Sequence, residues 1–180
     1  LFIPGSRERI LSHSPSGKVP CLNDHGVVVW DSLAIGEYLA EKRPGLLPAD
    51  PVARALARSV TAEMHSGFQN LRSRMPMNVR KDYTGFGHSP EVDADIARIV
   101  AIWNDCRARF GAVGPYLFGR FSLADAAFAP VAFRFQTYAV KPAGAAGEYL
   151  ATLLANPHMQ EWATAARAET ESIPEEDLYG

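Results

Sequence analysis

The chain has 180 residues, of which 47% are hydrophobic, and its 18 lysines and arginines nearly balance 20 aspartates and glutamates. That content is enough for one compact core or two small ones and excludes a disordered chain. The net charge of -2, spread without a long basic run, excludes the electrostatic footprint of a nucleic-acid or anionic-membrane binder.

In chain order, Leu1-Phe2-Ile3 reads as the end of a strand and Ser6 to Leu11 as a short helix. Then comes Ser14-Pro15-Ser16-Gly17-Lys18-Val19-Pro20-Cys21-Leu22. Pro20 has no N–H, so it does not belong inside a paired central strand, and a turn or cis bond explains it. A cis Val19-Pro20 bond would turn the Val19 N–H and C=O outward, where an extended peptide can pair with both. Gly17 relieves crowding before that turn, and Lys18 offers a mobile cation to a carboxylate, though it equally fits a solvated surface lysine.

After the turn Asn23-Asp24-His25-Gly26, the run Val27-Val28-Val29-Trp30 reads as a buried strand antiparallel to Val19 to Leu22. Asp31-Ser32 follows, and Leu33, Ile35, Tyr38 and Leu39 recur at helical spacing, which puts Ser32 at the N-cap. The amides and positive dipole end of that helix attract a carboxylate, and Asp31 can take an ammonium group. A small anionic peptide with a zwitterionic head therefore fits the pair. The plainer reading is that Ser32 only caps the helix and Asp31 only favours its dipole.

The segment Pro44-Gly45-Leu46-Leu47-Pro48 is a short connector, giving units at 1-47 and 48-180, with the first domain proper ending near Arg43. From Pro51, the positions Leu56, Val60, Met64, Phe68, Leu71 and Met75 trace the stripe of one long helix. A second begins at Pro90, with Ile96, Val100, Trp103 and Phe110 as its stripe. In Phe118-Gly119-Arg120-Phe121-Ser122-Leu123-Ala124-Asp125, Ser122 caps a helix and Asp125 at N3 reaches back to the Ser122 N–H. Further helices are expected over Leu123 to Tyr138, Gly147 to Leu154 and His158 to Ala168, with Glu169 to Gly180 a loose or draped tail.

The combination Ser-Pro-Ser-Gly-Lys-Val-Pro-Cys-Leu followed by Trp-Asp-Ser-Leu-Ala-Ile resembles the glutathione site of the cytosolic glutathione transferases, in particular bacterial, Ser-type and zeta-like members. The connector and the Phe118 to Asp125 segment extend the resemblance over nearly the whole chain. It implies an α/β plus all-α fold, with a thioredoxin-like N-terminal domain followed by an all-helical C-terminal domain. It implies glutathione as co-substrate and a small electrophilic substrate, conjugated or isomerised, in a cytoplasmic homodimer serving detoxification. Val19, before the implied cis Pro20, would pair with the cysteinyl backbone of glutathione, and Asp31 with Ser32 would hold its γ-glutamyl head. Lys18 would lie near the glycyl carboxylate, and His13 would assist there or remain a surface histidine. The long helices from Pro51 and Pro90 resemble the pair at the family's twofold interface.

The family's thiol-activating Ser, Tyr or Cys near the first helix has no counterpart here, and a leading strand, helix and strand of roughly 30 residues are expected to precede Leu1. None of Ser6, Ser12, Ser14 or Ser16 is promoted to that role, so the catalytic residue is unknown. A non-catalytic binding or assembly module on the same fold is the alternative, and a thioredoxin-like oxidoreductase ranks third.

Other candidates fare less well. The five histidines, His13, His25, His65, His88 and His158, lack the pairing of a zinc site, so no metal is expected. Cys21 and Cys106 read as reduced thiols, which together with the lack of a recognisable signal peptide makes the cytoplasm the default. No run of about eighteen apolar residues is present to span a bilayer. Arg72, Arg74, Arg80 and Lys81 either line an entrance for an anionic substrate or coat a solvated helix end. Met64, His65, Phe68 and Met75 fit walls of an electrophile pocket, or else core and interface positions.

Overall fold

In the structure, a computed structural model, residues 4–171, 173 and 177–179 are described. The expected strand at Leu1-Phe2-Ile3 lies outside them. The chain divides into two units, Leu1–Leu47 and Pro48–Gly180. The first contains α1 (Ser6–Leu11), β1 (Cys21–Asp24), β2 (Val27–Trp30) and α2 (Ser32–Lys42). The second contains α3 (Pro51–Ser66), α4 (Gln69–Arg74), α5 (Pro90–Phe110), α6 (Leu123–Thr137), α7 (Gly144–Leu154) and α8 (Pro157–Ala168).

In the first unit β1 and β2 form an antiparallel hairpin in which Cys21 pairs with Trp30 and Asp24 with Val27. Its turn is tighter than the four residues expected. His25 and Gly26 both have positive φ, 51° and 93°, the two-residue geometry whose twist matches paired strands. Strand β1 starts at Cys21 instead of Val19, because Pro20 has no N–H to offer a ladder. Nor is β2 buried as its sequence suggests: Val27 is 51% and Trp30 44% exposed, since two described strands leave most of each face uncovered.

Helix α2 runs back along the hairpin, and its last turn is fastened at the far end. The Tyr38 hydroxyl donates to Asp24 Oδ2 at 2.8 Å, Lys42 Nζ donates to the same oxygen, and the ammonium lies 4.7 Å from the Tyr38 ring centre. Lys42 first, and Tyr38 next, hold the Asp24 carboxyl below the usual carboxylate range, while Asp24 pushes Lys42 up in return. The stability this cluster contributes is therefore present above the unfolded aspartate value of about 3.9 and is lost as pH falls through the lower folded value. Asp24→Asn is expected to lower the melting point of the first unit at about pH 6, with the gap to wild type closing toward about pH 3. Melts followed through Tyr38 and Trp30 resonances check this; a gap that persists in acid contradicts it.

The second unit holds the large core. Trp103 of α5 meets Tyr149 of α7 and Phe135 and Phe128 of α6, with ring centres at 4.9, 5.3 and 5.7 Å. The buried face of α5 is Val92, Ile99, Ile102, Trp103 and Cys106, a rotation from the expected stripe, in which Ile96, Val100 and Phe110 are only half-buried. The helix packs on both α4 and α7, which turns a different face inward. Burial pushes the Cys106 thiol up to about 12, consistent with an inert core cysteine.

The single helix expected from Pro51 is two. Helix α3 ends at Ser66, because Gly67 packs so close to the Glu63 carbonyl that a Cβ there would lie 2.6 Å from it, and Phe68 takes the left-handed conformation at φ 59°. Arg72 then satisfies the carbonyls this break orphans, donating from Nη2 to Met64 O at 2.5 Å and from Nε to Gly67 O at 3.0 Å.

The capping box at the start of α6 is formed as its sequence indicates. Asp125 Oδ2 accepts from the Ser122 N–H at 2.8 Å and its hydroxyl at 2.9 Å, while Oδ1 accepts from the Leu117 N–H at 3.1 Å. Burial pushes the carboxyl above its ordinary value against the opposing pull of these donors.

Candidate functional site

The antiparallel register decides where the two singled-out dipeptides fall. Cys21 opposite Trp30 is the last pair of the ladder. Pro20 and Asp31 are therefore the next residues outward on the two strands, at one end of the hairpin. The register thus places Val19-Pro20 and Asp31-Ser32, segments apart in sequence, at the same end of the hairpin.

The Val19-Pro20 peptide is cis. Val19 is 55% exposed, and among the described residues no backbone hydrogen bond joins it to a protein partner. An extended ligand laid along this residue would find one N–H and one C=O to pair with, as an added strand does. The preceding loop is held from within. Ser14, almost fully buried, shares a hydrogen bond of 3.0 Å with Ser16 Oγ, which accepts from the Lys18 N–H at 3.2 Å. Gly17 has φ 65°, and a Cβ there would come within 3.1 Å of Leu11, so the glycine at this position has both a backbone and a packing reason.

His13 belongs to the same neighbourhood through its backbone: the Cys21 thiol donates to its carbonyl at 3.3 Å, tying the turn after α1 to the start of β1. Lys18 and His13 are both exposed.

Across the ladder the cap differs from expectation. Asp31 is the N-cap of α2 and Ser32 its first helical residue. The Asp31 carboxylate accepts from the Leu33 N–H at 2.8 Å, and its carbonyl takes the first helical bond from Ile35 at 2.9 Å. Asp31 adopts φ 72°, a conformation rare outside glycine. Aspartate and serine cap about equally well, so an Asp-Ser pair leaves the first turn ambiguous by one residue. Both remain exposed at a helix N-terminus whose amides carry the positive end of the dipole.

The donors and acceptors at this end of the hairpin suit an extended, anionic peptide. It offers main-chain pairing at Val19, a cation at Lys18, a helix N-terminus at Ser32 and a carboxylate at Asp31 for an ammonium group. Glutathione, a tripeptide with two carboxylates and one ammonium, fits this donor and acceptor set. No group of three or more His, Cys, Asp or Glu suited to a metal ion occurs among the described residues, and among them no helix is long and apolar enough to cross a membrane.

The remaining candidates fall in the second unit. Met64, Phe68 and Met75 are buried in its core, and His65 is exposed. Of the basic cluster, Arg72 serves the helix break, and Arg80 donates to the carbonyls of Glu169 and Glu171.

Two family models match: the glutathione S-transferase N-terminal domain over residues 2–42 and its C-terminal domain over residues 87–165. A probable maleylacetoacetate isomerase from Caenorhabditis elegans is 38% identical over 85 residues, which are 46% of this chain and 40% of that protein. The chain spans 32 to 40% of the length of this and the rat and mouse maleylacetoacetate isomerases it matches. A stringent starvation protein A homolog from Pasteurella multocida is 27% identical over 157 residues, covering 82% of this chain and 66% of that protein. Among solved structures, a glutathione transferase homolog from Burkholderia with bound glutathione superimposes with a TM-score of 0.61 at 25% identity, covering 86% of this chain and 77% of the other.

Proposed function

The chain belongs to the glutathione S-transferase family, with a thioredoxin-like N-terminal domain and a helical C-terminal domain, and on that premise we propose that it binds glutathione and directs its thiolate at a small electrophile. The observation carrying this reading is the shared hairpin end of Val19-Pro20 and Asp31-Ser32. In the proposed complex the Val19 main chain pairs with the cysteinyl residue and Pro20 sets the turn. Asp31 takes the γ-glutamyl ammonium, Ser32 and the α2 amides its carboxylate, and Lys18, assisted by His13, the glycyl carboxylate. Residues 1-47 form the glutathione domain and 48-180 the all-helical domain.

The maleylacetoacetate isomerase relatives support isomerisation as one reaction. A thiolate adds to a double bond conjugated with a carbonyl, forming a carbon–sulfur bond while the π pair moves into an enolate. Rotation follows about what is now a single bond, and collapse of the enolate restores the double bond and expels the thiolate. Protonation of the enolate carbon instead leaves a conjugate. The thiol must first lose its proton, since the thiolate is the nucleophile, and no residue of this chain is assigned as its activator.

A homodimer through α3 and α5, a cytoplasmic location and a detoxifying role complete the reading; the two free cysteines, Cys21 and Cys106, support a reducing compartment. The protein is expected to isomerise maleylacetoacetate only when glutathione is present. Failure to bind glutathione at millimolar concentration overturns the proposal. Binding without turnover of maleylacetoacetate or of a general electrophile instead favours a non-catalytic binding or assembly module.

A further inference from the structure

The stretch that offers Val19 to a ligand is anchored on both sides to one turn. Upstream, Ser14 is 1% exposed and its hydroxyl shares a 3.0 Å hydrogen bond with Ser16 Oγ, which accepts from the Lys18 N–H at 3.2 Å. Downstream, the Cys21 thiol donates to His13 O at 3.3 Å. His13 and Ser14 are themselves held to the end of α1, their N–H groups donating to Ile10 O at 3.0 and 2.7 Å. Residues 13–21 thus close into a ring of contacts, with Val19 between its two anchors.

Ser14 stands out in this ring by its burial. A hydroxyl taken out of water costs free energy unless it is bonded, and the one partner of the Ser14 hydroxyl among the described residues is Ser16 Oγ. Ser16 is exposed, and its Oγ makes a second bond to the main chain just before Val19. The two hydroxyls therefore connect a buried position to the Lys18 amide, next to the residue whose own N–H and C=O are assigned to the ligand. Neither serine is among the residues given a ligand contact.

We propose that Ser14 and Ser16 are positioning residues, a hydroxyl relay that holds Lys18 in place so that the Val19 main chain stands ordered before the ligand arrives. The inference rests on the glutathione reading of the site. Ordering a loop during binding subtracts from affinity, and a loop already fixed in its bound course removes that cost. Both hydroxyls act through the Val19 main chain and touch no part of the tripeptide.

The test is the glutathione affinity of the whole folded chain, read by titration calorimetry. Ser16→Ala is expected to bind roughly three- to tenfold more weakly than wild type, while Ser16→Thr, which keeps the hydroxyl, stays within about twofold. Ser14→Ala loses a similar factor, and the double alanine variant is no weaker than the weaker single one, because both substitutions break the same relay; independent contributions would multiply. Multiplying factors in the double variant overturn the relay, and so does Ser16→Thr binding as weakly as the alanine. Should Ser14→Ala not fold, the two Ser16 variants decide. Wild type that takes up no glutathione rejects the site and the relay with it, whereas wild type and Ser16→Ala binding alike rejects the relay alone.

Discussion

Asp125→Ala is expected to cost about 3–5 kcal/mol of unfolding free energy, a large share of the roughly 5–15 kcal/mol that a domain possesses. The carboxylate is fully buried and each oxygen is spoken for: Leu117 N–H on one, the Ser122 N–H and hydroxyl on the other. Truncation removes the acceptor of three donors, and a buried unsatisfied donor costs about 1–3 kcal/mol. Asp125→Asn should lose less, yet still lose, because its NH2 must face one of those donors. Denaturant melts of the two variants decide the matter, and an alanine variant within about 1 kcal/mol of wild type would show that the box contributes little.

Ser32→Ala is expected to weaken retention on immobilised glutathione by about 10- to 150-fold, the loss of one hydrogen bond to a charged group at about 1.5–3 kcal/mol. Asp31, not Ser32, accepts the Leu33 N–H, so the alanine leaves that capping bond in place, and circular dichroism of the variant separates lost retention from fraying of the helix. Asp31→Ala would confound the two, since one carboxylate both caps the helix and is assigned the ligand's ammonium group. Unchanged retention by Ser32→Ala rejects its assignment.

Local chemistry made much of the fold legible. Pro20 announced a turn, Pro51 and Pro90 opened helices at the residues where α3 and α5 begin, and Ser122 with Asp125 announced their box. Sequence periodicity failed where tertiary contacts choose among equivalent local options. A six-position apolar stripe from Leu56 to Met75 runs straight through the Gly67-Phe68 break, because the stripe records burial, and α3 against α6 and α4 against α5 each bury their share of it. Gly67 was the one available signal, and the guanidinium of Arg72, five residues on, is what makes the break tolerable. The stripe of α5 turned because two neighbours compete for it. At the candidate site the residue types were readable, but their sharing one end of the hairpin depends on the strand register, and the step from Ser32 to Asp31 as cap comes with a backbone at φ 72° that no local pattern announces. Where Tyr179 docks followed from no local pattern, since its hydroxyl reaches the Arg74 carbonyl 105 positions earlier in the chain.

The claim on which the rest stands is that one tripeptide bridges the two strands at the open end of the hairpin. Amide NMR of the labelled protein titrated with glutathione tests it directly. The account predicts that the Val19 and Ser32 amides shift together along one saturation curve, with Lys18 and Leu33 following. Shifts at only one of the two strands, or separate curves for Val19 and Ser32, would contradict it.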